Sequence, residues 1–206
     1  MSRLSAIDVA NYFVSLNSDG NLTNLKVQKL VYYAYGLHLA LYEKKLFDDE
    51  IEAWDYGPVI PALYHEFKEF NDYPIKLKEL FDIDIIGDKK EFLQDVYTKY
   101  AKYNARTLCN LTHQKSTPWD VVYHDKSSNY IINDELLRVY FSELTEVLTS
   151  DKNIDQFHAA KILSKDTALA ETMYILSHPK NAQELIEALE CSAKGEIIEF
   201  DWRNAS

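Results

Sequence analysis

The stretch from Leu22 to Pro61 constrains this chain more than any other, because it dictates a helix, a short strand and a second helix within forty residues. Val27, Leu30, Val31, Ala34, Leu37, His38 and Leu41 recur at the spacing that lines up one face of a helix, so an amphipathic helix is predicted to start near Leu25. Thr23 or Asn24 can cap it, since a short polar side chain satisfies a backbone N–H left without a partner in the first turn. Ile51 to Trp54 is strand-like, and Gly57-Pro58 is expected to close it as a turn. The unit needs further elements to cover it.

Those elements are readable on both sides. Ser5 to Val14 is a short helix with Ile7, Val9, Ala10 and Phe13 available for packing, followed by a turn cluster at Asn17 to Asn21. Helical spacing returns over Pro61 to Phe70 and Glu91 to Tyr103. Asn104 is an N-cap for Ala105 to Leu111. Thr117 with Pro118 at the first helical position opens another helix, because proline lacks the N–H that would be orphaned there. Asn133, Asp134 and Glu135 precede Leu136 to Leu148 and bring negative charge to the positive end of the helix dipole. The fold class expected is mainly α, a compact helical domain with a minor β element, followed by a helical extension ending in a short strand.

Composition limits the functions on offer. With 47% hydrophobic and 13% aromatic residues the chain can build a real core. Its net charge of −11 disfavours a broad nucleic-acid face, so nucleic acid is not an expected partner of this chain alone, and favours a basic protein partner. No apolar run of about 18 residues would span a bilayer, and no leader is evident, so a cytoplasmic address without membrane contact is expected. The fifteen tyrosines read either as core-boundary residues or as a contact surface. A second copy of the chain is a further partner to consider.

The candidates for chemistry are thin. The six histidines fall in no spacing that would supply two metal ligands from one helix face, and Cys109 and Cys191 make neither a disulfide framework nor a zinc site. Neither a Gly-rich phosphate loop nor a nucleophile elbow is present. His113, ahead of Pro118-Trp119, is the best single candidate for a functional histidine; its alternative is a side chain that holds the Leu111 to Pro118 turn by hydrogen bonds. Asp48-Asp49-Glu50 is either a solvated turn or an attractor for a basic surface. Trp54 and Trp119 read as core or semi-core anchors. No enzymatic activity, cofactor or metal is expected.

Two motifs in order carry a family resemblance. Thr23, Asn24, Lys26, Gln28 and Lys29, with Leu25, Leu30, Tyr32 and Tyr33, resemble the TNLKLQKL-YY helix of the Panacea (SocA-like) antitoxin domain family. Trp54, Gly57 and Pro58, with Glu52, Ala53, Val59 and Pro61, resemble its EAW--GPV-P turn. Thr112, His113, Gln114, Pro118 and Trp119 resemble a further THQ…PW signature, and the resemblance covers about residues 5–145. It implies an antitoxin domain over residues 1–149, and therefore a cognate toxin as partner.

After Thr149 a polar break, Ser150 to Asn153, marks an expected boundary. Residues 171–196 resemble the toxin-binding half of Phd/YefM antitoxins through Glu171, Thr172, Tyr174, Leu176, Pro179, Asn181, Ala182, Leu185 and Ala188. That resemblance implies a toxin-neutralising extension over 150–206, with Tyr174, Leu176, Leu185, Ile186, Leu189, Ile198, Phe200 and Trp202 as toxin-binding residues. It suggests a small basic toxin of the RelE/YoeB-like mRNA endonuclease kind. The extension is acidic, with 11 Asp/Glu against 6 Lys/Arg in residues 146–206. A rival implication of the SocA-like resemblance is an adaptor that delivers the toxin to a protease.

Overall fold

The computed structural model describes residues 4–76, 85, 87–124 and 130–149. Among these, seven α-helices surround one two-stranded sheet: α1 Ala6–Leu16, α2 Asn24–Tyr42, β1 Glu52–Trp54, β2 Gly57–Val59, α3 Pro61–Phe67, α4 Asp88–Tyr100, α5 Ala105–Thr112, α6 Pro118–His124 and α7 Asp134–Thr149. A 3₁₀ turn, Lys68–Phe70, prolongs α3. The fold is mainly helical with a small antiparallel sheet, as expected.

The helix starts are where the capping chemistry puts them. Ser5 and Asp8 form a reciprocal capping box on α1, with the Asp8 N–H donating to Ser5 Oγ at 3.1 Å. Thr23 Oγ1 accepts from the Lys26 N–H at 3.3 Å, so Thr23 rather than Asn24 is the cap of α2. Asn104, Thr117 and Asn133 do the same for the Thr107, Asp120 and Leu136 N–H groups. Two helices, α3 and α4, end three residues earlier than expected. Helix α3 stops at Phe67, and Asn71 reverses the chain at φ +48°. Helix α4 begins at Asp88 and ends at Tyr100 rather than running from Glu91 to Tyr103.

Helix α2 corrects the sequence reading. The predicted face of Val27, Leu30, Val31, Ala34, Leu37 and His38 is buried, but so is the opposite side at Tyr32, Tyr33, Tyr35 and Leu39. A helix covered all round is a core element, not an amphipathic surface helix. It is packed by α1, α3, α4, α5, α7 and β2. Its exit emerges, where Leu41 is 37% exposed, and Leu25 near its start is partly exposed. The buried tyrosines form the ring cluster around it: Tyr33 stacks on Tyr100 at 4.5 Å, and Tyr32 meets Phe141 of α7 edge-on at 5.3 Å. The tyrosines therefore divide, Tyr32, Tyr33, Tyr35, Tyr100 and Tyr140 into the core, and Tyr56, Tyr73 and Tyr130 to the surface.

A second correction concerns the sheet. Gly57-Pro58 is not the turn; it is the start of β2, and the turn is Asp55-Tyr56. Trp54 pairs with Gly57, and the positive φ of the reversal, +97°, falls on Gly57, the residue without a Cβ to oppose it. Both edges of the hairpin are occupied. The Ala53 N–H donates to Tyr130 O at 2.7 Å and the Ile132 N–H to Ile51 O at 2.8 Å on one side. On the other side the Gln28 side chain pairs with the backbone of Ile60, which follows β2.

Candidate functional site

The motif residues converge on the hairpin from two directions. From α2, Gln28 Oε1 accepts the Ile60 N–H at 2.9 Å and its amide nitrogen reaches Ile60 O at 3.4 Å. The next residue, Lys29, is fully buried and donates from Nζ to Pro58 O at 2.9 Å. Asn24 Nδ2 donates to Tyr64 O of α3 at 3.4 Å. These residues were read as a helical motif; the fold uses three of them to hold the strand and helix that follow. Lys26, the motif's other cation, has its Nζ 3.4 Å from Asn21 Oδ1 and braces the turn before α2.

From the other direction α5 and α6 grip the hairpin tip. His113 Nε2 lies 3.1 Å from Asp55 O and Nδ1 2.7 Å from Cys109 O, so whichever nitrogen carries the proton has a carbonyl to receive it. Cys109 Sγ donates to Tyr56 O at 3.2 Å. Trp119 Nε1 donates to Trp54 O at 2.7 Å, and its ring stacks on Tyr123, whose hydroxyl donates to Asp55 Oδ1 at 2.7 Å. Thr117 Oγ1, besides capping α6, donates to Thr112 O at 2.7 Å and ties the two helices together. Both His113 bonds reach outside the Leu111 to Pro118 stretch, to the hairpin tip and to Cys109 of α5. Trp119 is 5% exposed and Trp54 half-buried, as anchors should be.

The acidic run also has a structural use, since Asp49 Oδ2 accepts the Ala6 N–H at the start of α1. Cys109, Tyr123 and Asp55 were missed from sequence. They lie 53 to 68 positions from their partners, and no local spacing announces such pairs.

Lys29 is the electrostatic centre of the clamp. Burial pushes its ammonium from the ordinary 10.5 down to about 7, with the nearby Cys109 acting the other way. Burial pushes the Cys109 thiol up, which keeps it protonated and able to donate. The shift at Lys29 has a definite sign. The unfolded chain holds that proton up to about pH 10.5 while the fold releases it near 7, so the unfolded state binds more protons in between and stability rises with pH. Cys109, raised above 9.0, and buried Tyr32 and Tyr33, raised well above 10.0, work in the opposite sense only once the unfolded thiol and phenols ionise. Between pH 7 and 8.5 thermal unfolding should therefore move to higher temperature, by as much as about 1.4 kcal/mol of stability per pH unit. Lys29→Met should flatten that rise; an equal slope in both chains would assign it elsewhere.

Under the hairpin, Trp54, Tyr56, Tyr64, Tyr123 and Tyr130 line an open groove of about 1170 Å³ with the N-terminus of α2 as its floor. It is open to solvent and roomy enough for a side chain together with its neighbouring backbone. No group of three or more His, Cys, Asp or Glu is placed to hold a metal among the described residues, and no helix there is long and apolar enough to cross a membrane. The expected toxin-binding residues Tyr174, Leu176, Leu185, Ile186, Leu189, Ile198, Phe200 and Trp202, and the boundary at 149/150, lie outside the described residues.

Comparison with known proteins agrees with the motif reading over a narrower span. Residues 27–120 match the profile of the family described as antitoxin SocA-like, Panacea domain. The antitoxin SocA of Caulobacter vibrioides (strain NA1000 / CB15N) is 30% identical over 119 residues, covering 52% of this chain and 63% of that protein. The chain thus spans less than two thirds of the curated relative it matches. No solved structure matches it. Both matches agree with the Panacea resemblance; the profile match ends at residue 120, and neither is to a Phd/YefM-type protein.

Proposed function

We propose that this chain is an antitoxin of a type II system that neutralises a small basic protein toxin by direct binding and carries out no chemistry of its own. The observation that carries the reading is the use of the motif side chains. Asn24, Gln28, Lys29, His113 and Trp119, which the chain shares with the antitoxin signature, are all occupied in holding one hairpin and the groove beneath it. A motif used this way presents a surface rather than a reaction centre. The match to an antitoxin supports the same reading.

The acidic extension is the second contact. A toxin that cleaves mRNA, RelE/YoeB-like in this reading, must be basic to hold phosphates, and the excess of Asp and Glu in residues 146–206 complements it. Tyr174, Leu176, Leu185, Ile186, Leu189, Ile198, Phe200 and Trp202 would then be the apolar anchors. Truncating one of the few residues that dominate an interface costs about 2 kcal/mol or more. Changing Tyr174, Leu185, Phe200 and Trp202 together to alanine in the full chain should weaken binding to its cognate toxin by at least about 100-fold and abolish growth rescue on co-expression. Undiminished rescue by that variant would remove the extension from the account.

A further inference from the structure

The groove under the hairpin has a composition that selects its occupant. Three carboxylates line it, Glu52, Asp55 and Asp72, against one cation, Lys68, among the described residues. Two of the carboxylates are fixed by the aromatic walls: Trp54 Nε1 donates to Glu52 Oε2 at 2.7 Å, and the Tyr123 hydroxyl to Asp55 Oδ1 at 2.7 Å. Each carboxylate keeps further acceptor positions beyond the one in use. The Trp54 and Tyr64 rings, both lining the groove, meet edge-to-face at 5.2 Å.

The floor supplies an independent observation. Asn24 is only 6% exposed, and its Nδ2 is engaged by Tyr64 O. Its Oδ1 is buried with no hydrogen-bond partner. A buried acceptor without a donor is costly by about 1–3 kcal/mol and is normally satisfied by something. What the groove lacks is a donor, preferably a positively charged and flat one. A phosphate or a nucleic-acid backbone would meet three carboxylates and is disfavoured.

We propose that the groove receives an arginine side chain carried on an exposed segment of a partner protein. The guanidinium is planar and stacks on aromatic faces, and its five N–H groups can serve Glu52 and Asp55 together, and Asn24 Oδ1 when that side chain turns its oxygen toward the groove. Lysine offers a point charge without the stacking face. The volume accommodates the neighbouring backbone as well as the side chain. This assignment rests on the reading of the chain as a protein-binding antitoxin and names the chemistry of the contact made by its helical half.

The test uses the full chain and three capped tripeptides, glycyl-arginyl-glycine, its lysine counterpart and its citrulline counterpart, titrated into the millimolar range with Trp fluorescence and amide NMR shifts as readouts. The arginine peptide should perturb Trp54 and bind at least about tenfold more tightly than the citrulline peptide, which has the same shape without the charge. Glu52→Gln with Asp55→Asn keeps an acceptor for Trp54 and Tyr123 while removing the charge, and should weaken the arginine peptide about tenfold or more with the melting temperature held. Asp88→Asn, away from the groove, should change nothing. Equal binding of arginine and citrulline peptides, absence of binding, or tighter binding of a short RNA would overturn the proposal. Growth rescue by the unmodified chain is scored in parallel. Rescue without arginine binding sinks this assignment alone, whereas arginine binding without rescue sinks the antitoxin reading and leaves the site.

Discussion

Gly36→Ala should destabilise the protein by about 3 kcal/mol or more, read as a fall in the denaturant midpoint with the slope unchanged. In an exposed helix this substitution would stabilise by up to about 1 kcal/mol, because alanine is the better helix former. Here the sign reverses. A Cβ at Gly36 would lie 2.2 Å from two ring carbons of Phe141, a distance no packed pair of carbons tolerates. The ring cannot swing away, since Tyr32, Tyr33 and Tyr140 surround it at centroid distances of 5.3, 5.8 and 5.2 Å. Helix α2 touches α7 more extensively than any other element, so a forced separation there opens the centre of the fold. Phe141→Leu in the Gly36→Ala background should recover part of the loss, and a double-mutant cycle measures how much. A gain in stability for Gly36→Ala would mean that the two helices are farther apart than described.

Gly57→Ala should cost about 2–5 kcal/mol and act on the hairpin first. Two effects add. The backbone at φ +97° is strained for any residue with a Cβ, and that Cβ would lie 2.6 Å from Thr112 Oγ1 and 2.9 Å from Lys29 Nζ. Lys29 holds Pro58 O from this position, so displacing its ammonium leaves a buried carbonyl and a buried amine both without partners. Intrinsic fluorescence should report the change before global unfolding, because Trp54 belongs to the hairpin and Trp119 donates to it. The loss of binding at the groove should accompany it. Unchanged fluorescence together with unchanged stability would show that the clamp yields to an extra methyl group, and the hairpin would lose its role as the rigid element of the surface.

What the sequence revealed and what it hid follow from the range of the interactions. Caps are local: Ser5, Thr23, Asn104, Thr117 and Asn133 each bond within three residues, so their roles are legible from spacing alone. Periodicity correctly marked Val27 to His38 as buried. It did not mark Tyr32, Tyr33 and Tyr35, because tyrosine satisfies either a core or a surface, and only the crossing of α7 behind the helix decides between them. Gly57-Pro58 misled as a turn because the dipeptide signals reversal in general. The turn placed its required glycine at the first strand residue instead.

The shared motif was recognisable as letters while its use was not. Lys29 to Pro58, Gln28 to Ile60 and Trp119 to Trp54 span 29, 32 and 65 positions, and one chain read alone holds no record of such pairings. The orphaned Asn24 acceptor is further from view still, since it depends on what the fold fails to place beside one atom.

Direct neutralisation is tested most simply by mixing the purified full chain with the purified toxin in a reconstituted translation reaction that contains no protease. The account predicts a stable complex on size exclusion and restored translation when the chain is added in stoichiometric amounts. Translation that stays blocked until an ATP-dependent protease is supplied would contradict it and assign the chain to delivery instead.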